Sequence, residues 1–139
     1  MPLSGIQRRS IGNFDELQSS LEANLGNVLT IKLEKSSLAE QIGIFSIADV
    51  IVAQHGAALA NLVWARPGTK VIEITARPRN PWDKCFPNLS ACLGLDHNRV
   101  GQEGWHGACD VESVIALISG QTAIAKPTRL FARFFRTSK

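Results

Sequence analysis

The residues best able to do chemistry fall mostly between positions 55 and 73. His55-Gly56-Ala57-Ala58 sets an imidazole, a glycine and two small residues where the apolar run Asp49 to Ala53 gives way to a second apolar segment, Ala57 to Ala65. Small side chains let a ligand come close to the main chain, and the N–H groups that open a helix can bind phosphate or another anion. His55 can donate a hydrogen bond to the same group. The competing reading is that Gly56 makes the turn and the imidazole caps backbone. Asn61, one turn further on, is placed to hydrogen-bond the turn. Glu73 sits inside Val71-Ile72-Glu73-Ile74, and a carboxylate in a buried strand needs a partner. That partner is either a ligand hydroxyl, as when such acids hold a ribose, or an arginine or the sheet edge. Arg8 and Arg9 can give bidentate contacts to a diphosphate if their loop reaches the same place, and are otherwise solvated charge.

Other chemistries find little support. His106 and Cys109 are three apart with His97 nearby, but without a second ligand pair no metal is expected. Cys85, Cys92 and Cys109 are odd in number and form no CxxC, which predicts reduced, buried thiols rather than disulfides or a zinc ribbon. The chain has no GxGxxG, no P-loop and no GxSxG elbow, so a dinucleotide oxidoreductase, a P-loop nucleotidase and a serine hydrolase are disfavoured.

The elements that must position these residues alternate. Leu17, Leu21 and Leu25 predict a helix from Phe14 to Leu25, with Asn13 as N-cap and Gly26-Asn27 as its stop. Val28 to Leu33 has strand composition. Ser36-Ser37 caps a helix from Leu38 to Ala48, with Leu38, Ile42 and Phe45 as its apolar stripe. Strand, His-Gly turn, helix, Pro67-Gly68 and strand then follow as one βαβ crossover, whose turn opens at the C-terminal edge of a parallel sheet. Asp83 to Leu93 reads as a helix with Cys85, Leu89 and Cys92 inward, Gly94 to Val100 as a short strand, and Asp110 to Ile118 as a helix. The fold class is α/β: an open, mainly parallel Rossmann-like sheet with helices on both faces. No strand is evident before Arg8 unless Leu3 to Ile6 supplies it, so the domain reads as incomplete on its N-terminal side.

With 139 residues and 45% apolar content the chain can bury one core, here assigned to residues 1–125. Residues 126–139 form a basic, aromatic tail. Five cations (Lys126, Arg129, Arg133, Arg136 and Lys139) fall there without an acid, so the net charge of +3 belongs to the tail and no nucleic-acid partner is expected. RLFARFFR suits an interfacial helix touching a membrane surface. No apolar run reaches the roughly 18 residues of a membrane span, and MPLSGIQRR lacks the apolar core of a secretory signal. A cytoplasmic location, peripheral at the membrane, is the expectation.

The run His55 to Leu62, followed by Pro67-Gly68-Thr69 and Val71 to Ile74, resembles the C-terminal part of glycosyltransferase family 61. Arg9-Ser10-Ile11-Gly12-Asn13 with Glu16-Leu17, and then Glu40-Gln41, resemble that family's upstream marks in the same order, so the likeness covers about residues 8 to 75. Phe14 replaces a more usual acid, and Ala60 a more usual threonine. The resemblance implies the C-terminal domain of a GT-B enzyme that transfers a sugar from a nucleotide donor, commonly UDP-linked, to a glycan or glycosylated acceptor, as in polysaccharide biosynthesis. It implies that Arg9, His55, Gly56, Ala57 and Glu73 line the donor site, with Arg8, Glu40, Gln41, Ala58 and Asn61 in support. No cofactor is implied beyond the donor itself. The family's N-terminal domain is missing here, so turnover is expected to need a complementing domain, and no catalytic base is assigned. The alternative is a non-catalytic α/β interaction module left after loss of that half.

Overall fold

The computed structural model describes residues 9–120 and 130–133. Arg8 and the expected strand at Leu3 to Ile6 lie outside the described residues. Among the described residues five strands, β1 (Val28–Ile31), β2 (Val50–Gln54), β3 (Lys70–Thr75), β4 (Asp96–Gly101) and β5 (Leu130–Arg133), form one sheet in the order β1-β5-β2-β3-β4. Every ladder in it is parallel. The Rossmann-like α/β expectation is therefore met.

Parallel strands need crossovers, and the helices that supply them cover both faces. Val50, Val52, Ile72, Ile74 and Val100 point to one side, where they pack on Leu17 and Leu21 of α1 (Phe14–Leu25) and on Val114 and Ile118 of α4 (Val111–Ser119). Ile51, Ala53 and Val71 point to the other. They meet Phe45 of α2 (Leu38–Ile47), Leu59 and Leu62 of the 3-10 helix Ala57–Trp64, and the flank of α3 (Cys85–Leu93). The alternation of strand side chains thus divides one sheet between two apolar layers.

Local signals set most boundaries. Ser37 accepts from the Glu40 N–H at 3.1 Å while the Glu40 carboxylate accepts from the Ser37 N–H at 2.6 Å, a reciprocal cap that starts α2. Asp110 starts α4 by accepting from the Ser113 N–H at 3.0 Å. A hydrogen bond from the Ser113 hydroxyl, and then this one from its N–H, hold the Asp110 carboxyl below the usual range. Gly94 closes α3 at φ 70°, where a left-handed residue is needed.

Five expectations are corrected. The segment after His55 is a 3-10 helix rather than an α-helix, because its buried leucines are three apart and stack on the eclipsed turn of that helix. Leu38 is 64% exposed although it shares a face with the buried Phe45: the layer covers that face only toward its C-terminal end. Cys85 and Cys92 are exposed, because the inward stripe of α3 is Phe86, Leu89, Ser90 and Leu93. Asn13 does not cap α1 with its side chain; the carboxamide pairs instead with the main chain of Cys109, accepting from its N–H at 2.8 Å and donating to its carbonyl at 3.0 Å. Residues 130–133, read as part of a tail with an interfacial helix, are an interior strand between β1 and β2. The rest of that tail lies outside the described residues. Among the described residues no helix is long and apolar enough to cross a membrane.

Candidate functional site

Strands β2, β3 and β4 end together at Gln54, Thr75 and Gly101, so the loops that follow them share one edge of the sheet. His55 is the first residue past β2, and its N–H extends the ladder to the Ile74 carbonyl at 2.7 Å. Ala53 is the register partner of Glu73, and Val71 that of His97. Period-two alternation therefore puts Glu73 and His97 on the same face, under the 3-10 helix and α3.

Glu73 is 0% exposed, and both of its oxygens are taken. Oε1 accepts from His55 Nδ1 in a short contact, and Oε2 accepts from His97 Nε2 at 2.7 Å. His97 Nδ1 is in turn 2.6 Å from the hydroxyl of the buried Ser90. Burial alone would push the Glu73 carboxyl up. The hydrogen bonds from the two imidazoles and their charge outweigh it, so the net shift is downward and the carboxylate stays ionised. Glu73 thus meets neither an arginine nor an open ligand space: its partners are two histidines, and its work in this geometry is to orient them.

With Nδ1 committed to Glu73, His55 turns Nε2 outward, 3.6 Å from Asp83 Oδ1. Its ring is held edge-on by Phe86 at 5.2 Å and beside Trp105 at 5.7 Å. Arg9 closes the group: its guanidinium lies 4.2 Å above the Trp105 ring, and Nη1 donates to the His55 carbonyl at 2.9 Å. One cation, one oriented imidazole and one indole therefore converge at the edge where parallel sheets hold ligands.

The Arg9 segment reaches this edge because it is stitched to the loop after β4. Ser10 N–H donates to the Trp105 carbonyl at 2.9 Å and Gly12 N–H to the Gly107 carbonyl at 2.8 Å. From below, Gln54 Nε2 donates to the Ser10 carbonyl at 3.0 Å and to Gln102 Oε1 at 2.7 Å, and Gln102 Nε2 donates to the Gly107 carbonyl at 2.9 Å. The two segments approach so closely that a Cβ on Gly12 would come within 2.9 Å of the Gly107 main chain. A Cβ on Gly107 would lie 2.0 Å from the Glu103 carbonyl.

Of the expected residues, Arg9, His55 and Gly56 come together, with Glu73 directly behind His55 and Ala57 exposed at the start of the 3-10 helix. The others have structural work. Ala58 packs into the apolar layer, and Asn61 donates to the Ala58 carbonyl and to Gln41 Oε1. Gln41 also donates to the carbonyls of Leu33 and Ser36, so it braces α2 against the 3-10 helix. Glu40 is spent on its cap. Arg8 lies outside the described residues. His97, Ser90, Asp83 and Trp105 were not identified as site residues from sequence. A register argument pairing β3 with β4 is the signal that would have placed His97 beside Glu73.

The weak metal grouping considered from sequence is not assembled. His106 Nδ1 lies 3.1 Å from Ser10 Oγ, His97 belongs to Glu73, and Cys109 is buried, its thiol pushed up to about 11 by loss of solvent. Ligand-type atoms do converge elsewhere: those of His55, Asp83 and Cys85 all lie within 4.8 Å of one another.

Comparison with known proteins bears directly on this edge. Residues 5–72, which carry Arg9, His55, Gly56 and the first strands of the sheet, match the family model Glycosyltransferase 61. Over this stretch the chain is similar to glycosyltransferase family 61. It is also 34% identical over 71 residues to a protein O-linked-mannose beta-1,4-N-acetylglucosaminyltransferase 2 from Tetraodon nigroviridis. That alignment takes in 50% of this chain and 12% of the relative.

Proposed function

We propose that the C-terminal edge of the sheet binds the nucleotide-sugar donor of a glycosyltransferase, a UDP-linked sugar, for transfer to a glycan or glycosylated acceptor. The observation that carries this reading is the convergence of Arg9, His55 and Trp105 inside and beside the family 61 segment. A diphosphate at this edge would find the Arg9 guanidinium for its charge, and arginine is never deprotonated at working pH. Gly56 and Ala57 leave the main chain approachable, and His55 presents Nε2 in an orientation set by Glu73. As the sugar departs, negative charge grows on the diphosphate, so a fixed cation and an oriented imidazole there stabilise the leaving group. The acceptor side of the cleft is assigned to a complementing N-terminal domain of a GT-B arrangement, and transfer needs that second half.

Isothermal titration of UDP into the purified chain tests donor binding. Saturable binding is expected, weakened about tenfold or more by Arg9→Ala and by His55→Ala, in line with the loss of a charge-assisted contact worth roughly 1.5–3 kcal/mol. Absence of saturable heat at millimolar UDP in the folded parent would remove the proposal.

A further inference from the structure

We infer that His55, Asp83 and Cys85 form a binding site for a borderline-soft divalent cation of the zinc class. The three residues come from different parts of the sheet edge: the turn after β2, the loop after β3 and the first residue of α3. Their ligand atoms lie within 4.8 Å of one another, and His55 Nε2 is already 3.6 Å from Asp83 Oδ1. Zinc bonds of about 2.0–2.3 Å in a tetrahedron place neighbouring ligand atoms roughly 3.3–3.8 Å apart. The His–Asp pair meets that spacing as it stands. Closing the sulfur needs a movement of at most about 1 Å, within reach of rotating an exposed cysteine side chain.

An independent observation lies on the far side of the imidazole. A metal-ligating histidine characteristically donates its other ring N–H to a carboxylate, which fixes the tautomer and strengthens the ligand. His55 does so: Nδ1 is bonded to the buried Glu73, itself held by His97 Nε2 at 2.7 Å, and Nε2 is left facing Asp83. The donor set of one nitrogen, one carboxylate oxygen and one sulfur suits zinc better than magnesium or calcium, which prefer oxygen. On binding, the Cys85 thiol gives its proton to solvent and becomes the thiolate ligand, and His55 binds through an unprotonated Nε2. Three protein ligands leave a fourth position for water or a phosphate oxygen, as in zinc sites that act on substrates. The site shares His55 with the donor proposal, but the cation binds in the absence of donor.

The test uses the tag-free, reduced and chelator-stripped chain. Cobalt(II) serves as a spectroscopic stand-in and zinc as competitor. The expected result is a one-to-one complex with thiolate-to-cobalt charge-transfer absorption that zinc abolishes. Cys85→Ser, a surface change, should eliminate that band, while Cys92→Ser, on the same helix and also exposed, should leave it intact. Glu73→Gln should weaken cobalt binding roughly 10- to 100-fold if it supports the ligand. A flat titration, a band surviving Cys85→Ser or a band lost in Cys92→Ser overturns the inference. UDP titrated with and without zinc separates the two proposals. Donor binding with no cobalt complex removes the metal site alone, and a cobalt complex without UDP binding removes the donor reading alone.

Discussion

At the scale of single residues, the most informative side chain is Glu73, because a carboxylate with no solvent contact would be prohibitive without its two imidazoles. Glu73→Ala leaves both rings inside the protein without their acceptor and should cost about 3 kcal/mol in thermal or urea unfolding. Glu73→Gln keeps the shape but sets a neutral amide against two N–H donors, and should cost less, about 1–2 kcal/mol. Equal stability of the alanine variant and the parent would show that the network is not formed. The pH dependence has a definite sign. The folded carboxyl lies below its ordinary value, so its contribution is complete above the unfolded pKa of about 4.3 and is lost as the pH falls through the lower folded value. Acid unfolding of the parent should therefore steepen below about pH 4, and Glu73→Gln should flatten that limb. His55 and Glu73 were legible from their places at the end of one strand and within the next. Their partnership was not, because it depends on which strand lies beside which and on His97 arriving from β4, a segment whose composition marks a strand only weakly.

At the scale of elements, the site depends on a splice between the segment Arg9 to Asn13 and the loop Gln102 to Cys109, distant in sequence and joined edge to edge. Gly107 is where that splice is tightest. Its constraint is space rather than a special φ, since the Glu103 carbonyl occupies the position a Cβ would take. Gly107→Ala must move that loop and should destabilise the chain by about 2 kcal/mol, the usual range for a forced overlap in a packed region. Because Trp105 and Arg9 travel with the loop, UDP affinity should fall in the same variant even where the protein stays folded. An alanine variant that melts and binds like the parent would show that the splice is loose. Sequence signals located α1, α2, β2, β3 and α4 well, since helix periodicity, caps and β-branched runs act within each segment. They gave nothing on this splice. Gln54 and Gln102 are ordinary polar residues in sequence, and only a tertiary arrangement brings their amides onto the Ser10 and Gly107 carbonyls.

At the scale of the whole molecule, the position of β5 decides what counts as the domain. Leu130–Arg133 fills the gap between β1 and β2, with four register partners on each side, although it follows β1 to β4 in sequence. The longer run around it, Lys126 to Lys139, alternates basic and aromatic residues in a way that also suits a surface helix, and local pattern alone does not choose between them. A strand in the middle of a sheet cannot be removed as a tail can: without it β1 loses its neighbour, and β2 acquires a bare edge of unpaired N–H and C=O groups. Truncation after residue 125 should therefore abolish the cooperative thermal transition or send the chain into aggregates. A milder probe is Phe131→Pro, which deletes a ladder donor and imposes a ring where interior strands exclude it, at an expected cost of about 3 kcal/mol or more. Circular dichroism melts of the two variants check this together. If both retained the parental transition, Leu130–Arg133 would be peripheral and residues 126–139 could be deleted to ask about membrane contact alone. If both fail, such a deletion reports on the fold first, and a surface role of the segment must be sought with substitutions that leave β5 in place.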